Sequence, residues 1–205
     1  MLKVGLTGGI ACGKSFIAAA FGKLGCHVIE ADEVGHEVLE PGGEAYDGVV
    51  AAFGSGILTD GRIDRARLAE IVFPHPEQLE RLNAIVHPAV RERAARQFQE
   101  LAAADPRGIA VYVAAILIES GAYREVDKII VVSCNRDQQI ERAMHRALVR
   151  GETATEASVL ARLERQMPLE KKKEFADFII DTSGTREDTV RQTELVYAEL
   201  RRLAA

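Results

Sequence analysis

The chain has 205 residues, 47% of them hydrophobic, which is enough to bury a full core in one domain. A net charge of −5 without a long basic tract excludes a broad nucleic-acid or anionic-membrane footprint, and only 5% aromatics with no Trp counts against a base-stacking platform. The three cysteines, Cys12, Cys26 and Cys134, lack C-x-x-C or zinc-ligand spacing, and the apolar runs fall short of the ~20 residues of a membrane helix, so a reduced, cytoplasmic protein is expected. Residues 2–7 read as a buried strand, and residues 15–24 as a helix with Phe16, Ile17, Ala20, Phe21 and Leu24 at helical spacing. Between them, Gly8-Gly9-Ile10-Ala11-Cys12-Gly13-Lys14-Ser15 fits the phosphate-loop pattern G-x-x-x-x-G-K-[ST]. In such a loop the glycines let backbone N–H groups turn toward an anion, the lysine reaches the β and γ phosphates, and the hydroxyl completes Mg²⁺ coordination. A nucleoside triphosphate is therefore the expected ligand, contacted by Gly8, Gly9, Ala11, Cys12, Gly13, Lys14, Ser15 and the backbone N–H of Phe16. Cys12 lies where a helix N-terminus lowers a thiol pKa and marks it as oxidisable; as a small filler of a tight loop it has no such role.

The second strand is predicted over residues 27–30 and leads to Asp32 and Glu33. Asp32 suits either Mg²⁺ or the attacking hydroxyl, or it caps the helix that follows; Glu33 reads as a first-turn residue complementing the helix dipole. About seventy-five residues separate strands two and three, too many for a crossover helix, so a helical insertion is predicted there. Within it Pro41-Gly42-Gly43, Gly54-Ser55-Gly56 and Asp60-Gly61 mark turns, and Pro88 divides the helical run over residues 77–104 into two. His87, just before Pro88, has no acidic or cysteine partner at ligand spacing and reads as a packed or turn histidine.

Near-continuous apolar runs over residues 109–117 and 128–134, with residues 178–181, complete five strands of a parallel sheet covered by helices on both faces. Functional groups then belong at the strands' carboxyl ends, where Glu119, Asn135 and Arg136 also fall. Glu119 suits a second carboxylate near the metal, or a cap on Ser120-Gly121. A second helical insertion follows strand four. Arg142, Arg146 and Arg150 recur on one face of its first helix, an arrangement suited to a triphosphate or, with Glu141 and Glu152 nearby, to solvent; Arg162 and Arg165 repeat the question on the next helix. Lys171-Lys172-Lys173 reads as a solvated charge run, and residues 186–203 as an amphipathic helix closing the core.

The order of these motifs resembles the dephospho-coenzyme A kinase family over nearly the whole chain. The similar stretches are Gly5-Leu6-Thr7-Gly8-Gly9-Ile10 with Gly13-Lys14-Ser15, Val28-Ile29-Glu30-Ala31-Asp32, Asp60-Gly61 with Asp64-Arg65, His87-Pro88, and Leu117 with Glu119. They continue through Gln139 with Arg142 and Arg146, Gln166, and Ala176-Asp177 with Ile179-Ile180-Asp181. The resemblance implies a P-loop NTPase fold, three-layer α/β/α with a five-stranded parallel sheet. Its core would comprise residues 1–33, 105–135 and 177–205, its helical substrate-binding insertion residues 34–104, and its helical lid residues 136–176. The implied reaction is ATP-dependent phosphorylation of the ribose 3′-hydroxyl of dephospho-coenzyme A, the last step of coenzyme A biosynthesis. Asp32 then matches the base, Lys14 and Ser15 the triphosphate and Mg²⁺ contacts, and Arg142 and Arg146 the lid arginines, with Arg150 an alternative to Arg146. His87 and Glu119 join Asp32 as substrate-side residues, and Asp32 or Glu119 reaches Mg²⁺ through water. A monomer is expected, with no nucleic-acid or membrane partner. The chain departs from the family pattern at Cys12, Phe16, Glu30, residues 115–118 and Thr182. Two other readings stay open: a nucleoside monophosphate kinase, and an ATP-binding regulator that transfers nothing.

Overall fold

A computed structural model describes residues 1–149, 151, 155–164 and 166–205; Arg150, Glu152 and Arg165 lie outside the described residues. The chain forms two compact units, residues 1–29 with 101–205, and residues 30–100. In the first, strand β1 (Leu2–Gly8) is followed by helix α1 (Lys14–Lys23) and strand β2 (His27–Glu30). The second holds α2 (Ala31–Glu37), α3 (Tyr46–Phe53), the short strands β3 (Leu58–Thr59) and β4 (Arg62–Ile63), α4 (Arg65–Val72) and most of α5 (Pro76–Ala104). The chain then returns to the first unit through β5 (Ile109–Val113), β6 (Lys128–Ser133), α6 (Arg136–Val149), α7 (Glu156–Glu164), α8 (Leu169–Lys173), β7 (Phe178–Asp181) and α9 (Arg186–Leu203).

The five long strands form one parallel sheet in the order β2-β5-β1-β6-β7, as the apolar runs predict. β1 is central: Val4 aligns with Val111 of β5 on one side, and Leu6 with Ile130 of β6 on the other. Both faces of the inner strands are apolar because helices cover both faces. Ile17, Ala18 and Phe21 of α1 and Val196 and Leu200 of α9 pack with Val4, Leu6, Val111, Ile130, Val132 and Ile180 in one core. Each such large side chain contributes about 1.5–3 kcal/mol by leaving water. α9 starts cleanly because Thr185 and Asp188 form a capping box. No helix among the described residues is long and apolar enough to cross a membrane.

Two expectations about element ends are corrected. The third strand stops at Val113, not at residue 117: after the last ladder bond, Ala114 N–H to the Leu6 carbonyl at 3.0 Å, the chain turns. Leu117 and Ile118 are buried in that turn, and hydropathy alone does not separate a buried turn from a buried strand. α5 also runs unbroken through Pro88. Pro88 removes only the donor to the Ala84 carbonyl, and Ala84 is exposed, so water serves that acceptor. Ala89, Ala94 and Phe98 are buried beyond the proline, and their packing offsets its cost of about 3 kcal/mol.

The second unit is tied by charge as well as by apolar contact. Arg93 bridges Glu37 (2.9 Å) and Glu44 (3.1 Å), and Arg96 joins Glu44 and Glu92. Asp60 (φ 51°) and Gly61 (φ 75°) form the tight turn of the β3-β4 hairpin, and Asp64 caps α4 by accepting from Ala66 N–H at 3.0 Å and Arg67 N–H at 3.2 Å.

Candidate active site

The phosphate loop leaves the carboxyl end of β1, where the sheet order reverses. Doubly wound sheets bind ligands at that switch point. Gly8 is required there because a Cβ would strike the Val132 carbonyl of the neighbouring strand. Gly13 takes φ 90°, a left-handed conformation that turns the chain into α1, and Ala11 takes φ 58°. No side chain caps α1, so its first-turn N–H groups and positive dipole end face the loop. This is the elementary arrangement for an anion. Lys14 Nζ folds back over the loop, donating to the Gly8 carbonyl at 3.2 Å and the Gly9 carbonyl at 3.0 Å; Ser15 is exposed beside it. Phe16 N–H donates to the Gly13 carbonyl at 3.0 Å in the first turn of α1, and the Phe16 side chain is exposed beside the loop.

α6 and the end of β7 hold the loop from the other side. Gln139, buried, donates through Nε2 to the Ile10 carbonyl at 3.2 Å and to Cys12 Sγ at 3.0 Å. Thr182 Oγ1 lies 2.9 Å from the Cys12 carbonyl and accepts from Arg142 Nη1 at 2.9 Å, while Arg142 Nη2 donates to the Thr182 carbonyl at 2.7 Å. Arg142 is thus anchored through one threonine to the loop itself. Arg142 and Arg146 line a cavity of about 490 Å³ together with Ala11, Gly13, Phe16 and Arg186. The Arg186 guanidinium stands 5.9 Å from the centre of the Phe16 ring, within cation–π range. Cationic groups, a ring and loop backbone so arranged can take a nucleoside polyphosphate. A second cavity of about 510 Å³ is bounded by Gly9, Cys134, Gln139 and Met167.

Glu119 and the lysine run behave differently from expectation. Lys172 is not solvated but fully buried, with Nζ 2.7 Å from the Ala115 carbonyl and 2.9 Å from Glu119 Oε1. Glu119 Oε1 also accepts from Met167 N–H at 3.1 Å, and Thr7 Oγ1 donates to the same Ala115 carbonyl at 3.3 Å. Glu119 therefore caps neither Ser120 nor Gly121. It ties the approach to α8 to the turn after β5, whose Ala115 carbonyl also meets Thr7, the residue before the loop. Lys172→Met is expected to lower unfolding free energy by about 3 kcal/mol, the low end for a broken buried pair, because the Glu119 side chain keeps 24% exposure. Urea denaturation measures this, and a loss under about 1 kcal/mol would show that the pair does not hold this corner together.

The second unit carries the remaining candidates. Asp32 is exposed in the first turn of α2, directly after β2, and the N-cap is Glu30, so the helix-cap reading of Asp32 is replaced by a first-turn position shared with Glu33. His87 is half-buried within α5; burial first, then the Arg91 cation one turn on, hold its imidazole below the usual histidine pKa, so it is neutral at pH 7. Among the described residues no group of three His, Cys, Asp or Glu side chains is placed to hold a metal ion. The hydroxyl of Ser15 is a hard oxygen donor that suits Mg²⁺ carried in on phosphate oxygens, which keeps most of its waters and needs few protein ligands.

Of the residues picked from sequence, the structure brings Gly8, Gly9, Ala11, Cys12, Gly13, Lys14, Ser15, Phe16, Arg142 and Arg146 together around the loop. Gln139, Thr182 and Arg186 are neighbours of the loop and its arginine-lined cavity to which the sequence assigned no role; Gln139 and Thr182 stood out only through the resemblance, and Arg186 had no signal beyond its place after β7. The family model described as dephospho-CoA kinase matches residues 2–188. The dephospho-CoA kinase of Geobacillus kaustophilus is 46% identical over 192 residues, 93% of this chain and 92% of the relative, and that of Geobacter sulfurreducens is 43% identical over 197 residues, 96% and 97%. The solved dephospho-CoA kinase of Campylobacter jejuni superposes with a TM-score of 0.73 at 29% identity, covering 99% of this chain and 98% of its own. With the loop, the arginine-lined cavity and the sheet order all in place, a match of this extent shows that the chain belongs to the dephospho-CoA kinase family.

Proposed function

We propose that the protein transfers the γ-phosphoryl group of ATP to the ribose 3′-hydroxyl of dephospho-coenzyme A, giving coenzyme A and ADP. The observation that carries this reading is the phosphate loop at the carboxyl end of β1, with Lys14 and Ser15 at its exit and Arg142 and Arg146 on the adjoining cavity wall. The acceptor oxygen attacks the γ phosphorus, the bond to the β–γ bridging oxygen breaks, and the acceptor proton passes to Asp32. In a loose transition state the charge sits on the transferred and leaving oxygens, so positioning and cations supply most of the acceleration and the base supplies less. Lys14 and the loop N–H groups hold the β and γ phosphates; Arg146 and the Thr182-anchored Arg142 lie over them as the lid, residues 136–176, closes. Ser15 would hold Mg²⁺ with the phosphate oxygens, with Asp32 reaching it through water, and the ion would neutralise the leaving diphosphate. Lys172 balances the charge of Glu119, which leaves that carboxylate to orient the turn after β5 and the substrate groups that rest on it. The segment 34–104, with His87, binds the acceptor. Unpaired thiols at Cys12, Cys26 and Cys134 fit a reducing, cytoplasmic setting.

The deciding experiment is acceptor choice. A helical insertion of this size can bind remote parts of a large acceptor and use that energy to orient its 3′-hydroxyl. Dephospho-coenzyme A is expected to exceed AMP and adenosine in kcat/KM by about 10²-fold or more, with phosphorus NMR placing the new phosphate on the ribose 3′-oxygen. Equal activity on AMP, with ADP as product, would mark a nucleoside monophosphate kinase, and tight ATP binding without transfer to any acceptor would mark a regulator.

A further inference from the structure

Phosphoryl transfer uses neither of the two thiols that meet at the phosphate loop. Cys12 lies in the loop and Cys134 directly follows β6, 122 residues away, yet Cys134 Sγ donates to Cys12 Sγ across 3.2 Å. The Gln139 amide donates to the same sulfur at 3.0 Å, and Cys134 borders the cavity of about 510 Å³ that also reaches Gly9. The hydrogen bond from Cys134 above all, then Gln139 and the Lys14 ammonium, outweigh burial and bring the Cys12 thiol down to about 7. Cys134, as the donor, is pushed up. Cys26 packs elsewhere in the core, and burial drives its thiol up to about 11. A disulfide needs its sulfurs about 2.05 Å apart, so the Cys12–Cys134 pair has to close by little more than about 1 Å.

We propose that Cys12 and Cys134 form an oxidative modification site at which a hydroperoxide joins the two sulfurs and thereby disables the nucleotide loop. Two S–H bonds and the peroxide O–O bond break, one S–S bond forms, and two electrons and two protons pass to the oxygens; hydrogen peroxide leaves as two waters. The closure draws Cys12 toward β6 while its carbonyl is tied to Thr182, and it displaces backbone N–H groups that have to converge on one phosphate. A displacement of about 1 Å at a positioning element costs as much as 10²-fold in rate. The site rests on the loop's role in binding ATP, and nucleotide in the loop protects it.

The test uses the full-length, nucleotide-free protein, first reduced, then exposed to hydrogen peroxide and blocked with N-ethylmaleimide. A non-reducing tryptic digest is expected to contain residues 4–14 linked to residues 129–136, less of it when MgATP is present. MgATP binding by calorimetry and the kinase rate are both expected to fall at least tenfold and to return with dithiothreitol. Cys134→Ala is expected to keep its starting rate and to hold it under peroxide; Cys134→Val, which fills the thiol's space, gives the same comparison if the alanine variant unfolds. No linked peptide, a link to Cys26 instead, a linked protein with unchanged ATP binding, or Cys134 variants that lose binding as fast as the parent would each overturn the proposal. A reduced protein that binds MgATP but does not phosphorylate dephospho-coenzyme A would count against the proposed function, whereas the peptide link and the loss of binding would still establish the switch.

Discussion

Lys14→Ala is expected to reduce kcat with MgATP and dephospho-coenzyme A by about 10²–10³-fold, equivalent to about 2.7–4 kcal/mol of transition-state stabilisation. The ammonium now donates to the carbonyls of Gly8 and Gly9, partners it has to exchange for phosphate oxygens when ATP enters. Gly8 and Gly9 are buried and the Lys14 side chain is half-buried, so losing this donor costs the fold about 1–3 kcal/mol. Alanine at the first position of α1 recovers part of it through helix propensity. The variant should therefore stay folded, with Tm lowered by only several degrees, while turnover collapses. A folded Lys14→Ala protein with turnover within a fewfold of the parent would remove the loop from the chemistry, and a large drop in Tm would mean that the lysine serves mainly to hold Gly8 and Gly9 in place.

The loop was legible because its chemistry is local: eight consecutive residues carry the anion site, and the apolar runs on either side specify a strand and a helix. The sheet was legible for a related reason, since inner strands such as β5 and β6 are buried along their length and their runs are unbroken. What failed was whatever depended on partners distant in sequence. Lys172 stands between two lysines in a run that looks solvated, and only Glu119 and the Ala115 carbonyl, over fifty residues away, explain a buried ammonium. Pro88 reads as a helix breaker because the sequence does not show that the carbonyl it orphans faces water. Thr182 stands where the chain departs from the family pattern, and as a threonine it gives no hint that its hydroxyl links the loop to Arg142. The encounter of Cys12 with Cys134 is of the same kind. The sequence marks Cys12 as a thiol at a helix N-terminus, but its partner comes from the end of a strand that the fold sets beside β1.

Asp32→Asn is expected to cut kcat by about 10²-fold, the low end of what a general base contributes, while leaving the affinity for MgATP within a fewfold of the parent. The low end applies because a loose transition state removes the acceptor proton late. Asp32 sits in the first turn of α2, immediately after β2, and its carboxylate is exposed and does not serve as the helix cap, so the amide variant keeps shape and costs the fold little. What it removes is a negative charge and a proton acceptor, and the two proposed roles of Asp32 respond differently to that loss. As the acceptor-side base, Asp32 leaves nucleotide binding intact, and only turnover falls in the variant. As an outer ligand of Mg²⁺, its replacement weakens MgATP, so calorimetry would show affinity and turnover falling together, partly recovered by raising the metal concentration. Intact MgATP affinity with a hundredfold loss of kcat assigns Asp32 to the acceptor, and parallel loss of both moves it to the metal and leaves the acceptor proton to solvent.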